Sequence, residues 1–284
     1  MTASARTIAI ANQKGGVGKT TTSINLAAAL AEAEQRVLLV DMDAQGNATM
    51  GVGVDKNALD ATVCDFLLGD KGVSEALQVV LDGEFFLLGA NGDMTAAEVG
   101  LRDRKNGRLA LKKALAEISD SFDYVVIDCP PALSMLTVNA LAAARGVIIP
   151  MQCEYYALEG LSDLLETIES VRKMMNPDLI IEGVLRTMFD PRNRLTGDVS
   201  AQLTDYFGSA VYNTVIPRNV RLAEAPSHGV PIMHYDNAAS GAAAYRALAA
   251  EILGRDDSEI IDAPQKGARR AVSSLFGRRR RSAG

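Results

Sequence analysis

Asn12-Gln13-Lys14-Gly15-Gly16-Val17-Gly18-Lys19-Thr20-Thr21 follows a short apolar run, Ile8-Ala9-Ile10-Ala11, and precedes the helical pattern of Ile24 to Leu30. The order is strand, glycine loop, helix. Glycines at 15, 16 and 18 permit positive φ and let backbone N–H groups turn inward, and the positive end of the following helix opens onto the same hollow. A phosphate chain fits there. The pattern reads K-G-G-x-G-K-T, which departs from the plain G-x-x-x-x-G-K-[ST] loop because Asn12 stands where the first glycine would, and because an extra lysine, Lys14, opens the loop. The stretch from Gly15 through Gly16, Val17 and Gly18 to Thr21 should wrap the phosphates, with Lys19 on the β- and γ-phosphates and the Thr20 hydroxyl on Mg2+. That mechanics leaves Lys14 without a role.

Working outward, Arg36-Val37-Leu38-Leu39-Val40 and Tyr124-Val125-Val126-Ile127 are continuous apolar runs, the mark of strands buried on both faces of a parallel sheet. Each ends in acid. Asp41-Met42-Asp43-Ala44-Gln45-Gly46-Asn47 follows the first, and Asp128-Cys129-Pro130-Pro131 closes the second, which has the shape of a Walker B element that would hold Mg2+ through Asp128. Ligands of open α/β sheets bind outside these carboxyl ends. Further strands are expected at Phe85–Leu88, Gly146–Pro150 and Ile180–Leu185. Helices are expected at Ala61–Leu68, Val73–Leu81, Leu109–Ile118, 158–175, from near Asp198, and at Ala242–Leu253. Leu101 to Arg108 reads as a charged loop or helix face, and Phe189 to Arg194 as a basic surface loop. The expected fold is α/β: one doubly wound, mostly parallel sheet with helices on both faces, in a single domain over residues 1–253.

Composition narrows the class. A chain of 284 residues that is 48% hydrophobic can bury a full core. Its three cysteines, Cys64, Cys129 and Cys153, have no C-x-x-C spacing, which speaks against disulfide frameworks and zinc sites and fits a reducing cytoplasm. Met1 to Arg6 lacks the apolar segment of a signal peptide, and no run of apolar residues reaches membrane-spanning length. Net charge is −6, yet the six arginines within residues 269–284 leave −12 on the rest. Nucleic-acid contact would therefore need a local basic patch or the tail.

The K-G-G-x-G-K-T loop resembles the deviant Walker A box shared by ParA, MinD and the nitrogenase iron protein. D-x-D-x-Q-G-N over 41–47 resembles the first switch of ParA proteins, D-x-P-P at 128–131 the second, and Val211 to Gly229, with V-I-P-R-N-V-R-L-A-E-A-P, also matches ParA rather than MinD. The likeness runs from about residue 6 to 253. It implies an ATP hydrolase that closes as a sandwich homodimer on two ATP molecules, with Lys14 reaching the partner's nucleotide. It further implies that Asp43 orients the attacking water, that Asp41 supports the Mg2+ shell, and that Pro217 and Asn219 lie against the adenine. Arg192, Arg218 and Arg221 would face double-stranded DNA without sequence preference, and a ParB-like centromere-binding protein would stimulate hydrolysis. The expected setting is the cytoplasm, on the nucleoid. A MinD-like membrane-associated ATPase that positions division machinery is the alternative.

Residues 254–284 turn polar and arginine-rich, and three readings stand for them. They can form a free solvated end or a DNA-attracting tail. They can also form a short basic amphipathic turn (Val272, Leu275, Phe276) on an anionic membrane. For the loop itself, Lys19→Ala should abolish ATP binding, since the amides remain but the cation offsetting the phosphate charge is gone. Calorimetry showing parental ATP affinity in the variant would refute this.

Overall fold

The computed structural model describes residues 5–154 and 161–255. Among the described residues, eight strands form one sheet: β1 (Arg6–Ile10), β2 (Val37–Asp41), β3 (Leu77–Val80), β4 (Phe85–Leu88), β5 (Tyr124–Asp128), β6 (Gly146–Gln152), β7 (Ile180–Phe189) and β8 (Val211–Pro217). Their spatial order is β3-β4-β2-β5-β1-β6-β7-β8, with every neighbouring pair parallel except β3–β4. The first strand thus sits in the middle, and the chain winds away from it to either side. A crevice opens at that reversal, outside the carboxyl ends of β1, β5 and β2.

The central strands β2 and β5 are apolar up to their terminal acids because both faces of the sheet are covered. Ile8, Ile10, Val37, Leu39 and Val126 point to one layer, formed mainly by α1 (Lys19–Glu32), α2 (Asn47–Gly51), α10 (Val220–Glu224), α11 (Ile232–Tyr235) and α12 (Ser240–Gly254). Their sequence neighbours Ala9, Leu38, Val40, Val125 and Ile127 point to the other. That layer holds α3 (Val63–Leu68), α4 (Val73–Ala76), α5 (Met94–Asp103), α6 (Ala110–Ala116), α7 (Met135–Ala143), α8 (Leu161–Met174) and α9 (Arg194–Phe207). The period-two alternation of a strand therefore feeds two separate hydrophobic layers. Among the described residues, no helix is long and apolar enough to cross a membrane.

The doubly wound sheet expected from the sequence is present, with local corrections. Val73–Leu81 is not one helix. Its helix stops at Ala76, and Leu77–Val80 pairs antiparallel with Phe85–Leu88, so cross-strand pairing and the β-branched Val79 and Val80 override the helical spacing. The charged stretch from Leu101 begins inside α5, whose buried Met94, Ala97 and Leu101 lie on one face. α7 shows no amphipathic signal because Leu136, Ala140, Leu141 and Ala142 are all buried. α9 starts at Arg194, four residues before Asp198, where the Asn193 side chain accepts from the Leu195 N–H. The described body runs through α12 to Arg255. The tail readings, which concern Val272, Leu275, Phe276 and the arginines, lie outside the described residues, as do residues 158–160 of the helix expected over 158–175.

At the amino ends of the strands the body is closed by charge. Arg6 pairs with the buried Glu182, and Arg255 donates to the Glu182 carbonyl at 3.0 Å while its guanidinium lies 4.0 Å over the Tyr212 ring. Gly183 in β7 lies beneath that ring, where an added Cβ would overlap Tyr212. Tyr212 is fully buried and held by Arg255, so it cannot step aside. Gly183→Ala should destabilise the protein by about 1–3 kcal/mol through overpacking, with the thermal midpoint falling ~2–4 °C per kcal/mol. An unchanged midpoint would show that the ring has room to move.

Candidate nucleotide site

Every residue expected at the phosphate loop converges at the carboxyl edge of the sheet. α1 begins at Lys19 behind Gly18, whose φ of 87° is open to glycine, and no side chain caps this helix. Its first-turn N–H groups are therefore unspent and face the hollow, the condition for holding an anion. Gly16 has a φ of 72°, so it too needs glycine's freedom. A Cβ on Gly15 would meet nothing within 4 Å in its own chain.

Asn12 explains the departure from the plain loop. Its amide donates to the Pro150 carbonyl at 2.7 Å and its oxygen accepts from the Lys14 N–H at 2.9 Å, so this buried side chain sets the backbone from which Lys14 springs. From the far side, the Thr187 hydroxyl of β7 donates to the Val17 carbonyl at 2.8 Å. The loop is thus held from β6 and β7 by residues that make no part of the motif. Lys19 is buried, its ammonium 3.3 Å from the Lys14 carbonyl; burial pushes its pKa down, against the pull of Asp128. Lys14 instead lies at the outer edge, where its ammonium pairs with Glu154 at 3.1 Å, the lysine side chain one third exposed (33%) and the glutamate half exposed (51%).

Strand register sets the acids. Asp41 pairs with Asp128 across β2 and β5, so two fully buried carboxylates stand side by side. The Thr20 hydroxyl donates to one oxygen of Asp128 and the Ser23 hydroxyl to the other, each at 2.8 Å. Ser23 belongs to no motif in the sequence, although its position one helical turn beyond Lys19 is the signal that places it on the same face. Burial pushes the Asp128 carboxyl up, and the neighbouring charge of Asp41 adds to the shift. Asp41 is raised by burial as well, opposed by hydrogen bonds from the Thr49 and Asp43 backbone. The half-buried Thr20 hydroxyl beside two crowded, fully buried carboxylates is an all-oxygen donor set, which suits Mg2+.

Asp43 lies just beyond, partly exposed. Its N–H donates to Asp41 Oδ1 at 3.0 Å, its own Oδ1 accepts from the Gln45 N–H at 3.0 Å, and the Gly46 N–H closes a turn onto its carbonyl at 2.9 Å. Thr49, fully buried, donates to Asp41 Oδ2 through both its N–H and its hydroxyl at 2.9 Å. Asp41 is thus bonded to both ends of the loop that carries Asp43.

Beside Gly18 and Thr21, a cavity of about 330 Å³ is lined by Ile216, Pro217, Asn219, Leu222 and Tyr245 among others. Its apolar walls and flat proline edge suit a planar base. Within it Asn219 uses its side chain internally, accepting from the Arg221 N–H and donating to Ser240 Oγ, both at 2.8 Å. The two basic segments lie together: Phe189 pairs with Pro217, and the Arg218 N–H reaches the Phe189 carbonyl at 3.4 Å. Their side chains are less free than the sequence suggests. Arg192 grips Asp190 through two bonds of 2.9 Å, and Arg221 pairs with Glu224 at 2.8 Å and Asp236 at 3.5 Å. Arg218 is exposed on the rim of the base cavity.

Comparison with known proteins places this geometry. Residues 5–181 match the family described as AAA domain. The chain is 49% identical over 251 residues to the chromosome partitioning protein ParA of Myxococcus xanthus, covering 88% of this chain and 89% of that one. It is 51% identical over 245 residues to the sporulation initiation inhibitor protein Soj of Bacillus subtilis, covering 86% and 97%. Among solved structures, the cobyrinic acid a,c-diamide synthase of Mycobacterium smegmatis, with bound ADP and magnesium, superposes with a TM-score of 0.77 at 42% identity, over 88% and 94% of the two chains.

The raised carboxyl of Asp128 has a consequence for stability. A group whose pKa rises on folding costs stability once it must ionise, so that cost grows from the unfolded carboxylate value of about 3.9 upward into neutral pH. Asp128→Asn should therefore gain stability relative to the parent as pH rises from 5 to 8 in denaturation without nucleotide or divalent cation. A difference that stays constant with pH would show that Asp128 ionises without cost.

Proposed function

The chain belongs to the ParA/Soj family of P-loop ATPases, and on that premise we propose that this Mg2+-dependent ATP hydrolase works as a DNA-partition motor switched by dimerisation. The loop amides from Gly15 to Thr21, the open turn of α1 and Lys19 hold the triphosphate, and the base enters the slot beside Pro217 and Asn219. Thr20 and Asp128, with Asp41 beside them, would hold Mg2+, which supplies charge to offset the β- and γ-phosphates. Asp43 orients the attacking water.

The observation that carries the dimer is the contrast between the two lysines. Lys19 is buried over the hollow, whereas Lys14 stands outside in an exposed ion pair, beside a glycine with open space around it. An exposed pair of this kind stabilises by only ~0.2–1 kcal/mol, so Lys14 can leave Glu154 for a partner's phosphates at little cost. Gly15 gives room for a second loop to approach. The homodimer so formed is a sandwich on two ATP molecules.

DNA binding follows from doubling. Arg192, Arg218 and Arg221 come from adjoining segments, but two of them already hold acids and must exchange a carboxylate for a phosphate, which weakens each single patch. Screening confines the repulsion of the acidic body to about 8–10 Å at physiological salt, so two patches on one dimer can still hold a duplex, without reading its sequence. A ParB-like protein bound at a centromere would trigger hydrolysis and release, in the cytoplasm on the nucleoid. A MinD-like role would need the tail to act as a membrane anchor, and the ParA-like 41–47 and 211–229 segments speak for partition.

Asp43→Ala should bind ATP and dimerise as the parent does but hydrolyse more than tenfold more slowly, about 1.4 kcal/mol or more in barrier. Parental turnover would remove Asp43 from the mechanism. With ATP present, Arg218→Ala and Arg221→Ala should each weaken binding to random duplex DNA and flatten its salt dependence, by about one phosphate's worth for each arginine removed, with ATP affinity unchanged. Intact DNA binding in both variants, with its disappearance on deleting 269–284, would move the DNA site to the tail.

A further inference from the structure

Asp43 can orient water only if the turn that carries it keeps one conformation, and this turn is short and partly exposed. Its geometry shows what holds it. Residues 43–46 form a β-turn closed by the Gly46 N–H on the Asp43 carbonyl at 2.9 Å, with Gly46 at a φ of 61°. The peptide unit joining Gln45 to Gly46 carries that N–H at one end and the Gln45 carbonyl at the other. The carbonyl is held as well: Lys56 Nζ donates to it at 2.5 Å. Both ends of the one peptide unit whose rotation would open the turn are thus bonded, and the outer bond comes from Lys56.

The stem of Lys56 does a second thing. A Cβ on Gly46 would lie 2.5 Å from the Ala90 carbonyl oxygen and 2.8 Å from Lys56 Cδ, so the turn is pinched between β4's exit and the lysine chain. The base of the lysine is braced independently. Asp55 accepts from the Asn57 N–H through its side chain at 2.9 Å and from the Ala58 N–H through its carbonyl at 3.0 Å. Lys56 therefore extends from one braced turn onto the turn that carries Asp43. Nothing in the nucleotide chemistry requires a lysine here, and no motif around 41–47 includes it.

We propose that Lys56 is a positioning residue for ATP hydrolysis, whose ammonium fixes the Gln45–Gly46 peptide and thereby the place of Asp43. The inference rests on the reading of Asp43 as the group that orients water. Lys56 is bonded to the Gln45 carbonyl and is not among the residues that would hold phosphate or metal, so its removal should act on turnover and leave binding alone. Lys56→Met keeps the stem against Gly46 and removes the donor; Lys56→Arg keeps a donor.

The test is steady-state ATP hydrolysis by the full chain across ATP and Mg2+ concentrations, for Lys56→Met, Lys56→Arg, Asp43→Ala and the Asp43→Ala/Lys56→Met double variant. Lys56→Met should lose about three- to tenfold in kcat, the range expected from one partly exposed charge-assisted hydrogen bond, with KM and the Mg2+ half-saturation unchanged. Lys56→Arg should recover most of that deficit, and Lys56→Met should add nothing in the Asp43→Ala background. A slow Asp43→Ala beside a fully active Lys56→Met would overturn the role of Lys56 alone, as would an effect confined to KM or Mg2+ dependence, or an equal drop in the Asp43→Ala background. A fully active Asp43→Ala would instead overturn the reading of Asp43 itself.

Discussion

Two carboxylates, Asp41 and Asp128, are buried side by side at the ends of adjacent strands, and the nucleotide end of the molecule is arranged around the cost of keeping them there. Each is supplied with hydroxyl or amide donors, Asp128 by Thr20 and Ser23, Asp41 by Thr49 and the Asp43 backbone. Lys19 adds the nearby cation. What remains uncompensated is an all-oxygen, electronegative corner that a divalent cation on a triphosphate would complete. The same corner ties the 43–46 turn to the strand that precedes it: Asp41 is at once part of the charged pair and the staple of the Asp43 loop.

The sheet is what makes this pairing possible. β1 lies between β5 and β6 with β2 beyond β5, so the phosphate loop, both acids and the carboxyl ends of β6 and β7 meet at one crevice. Asn12 and Thr187 then tie the loop to β6 and β7. Distant strands thus shape a motif that looks local in the sequence.

Much of this is legible without coordinates, for physical reasons. Buried parallel strands must be apolar on both faces, so Val37–Val40 and Tyr124–Ile127 declare themselves, and the acid that ends such a run, ordinary alone, reads as a metal partner once it is paired with the glycine loop. The glycine loop fixes its own conformation and is visible at once. Asn12 is visible as a departure but not explicable, since its partner Pro150 lies on another strand. Thr187 and Thr49 give no signal, because a single threonine in a strand or short helix is ordinary until its partner is known. β3 reads as helix in the sequence because four residues at an edge carry little periodicity and take their state from β4. The arginines are legible as charges but not as ion pairs: that Asp190 and Glu224 hold Arg192 and Arg221 is decided by turn geometry.

The account turns on Lys14 acting outside its own site, and sedimentation velocity tests that most directly. Asp43→Ala protein with Mg2+ and ATP should sediment as a dimer, and the same protein carrying Lys14→Ala should sediment as a monomer while binding ATP with unchanged affinity by calorimetry. An ATP-dependent dimer that survives Lys14→Ala would contradict the account.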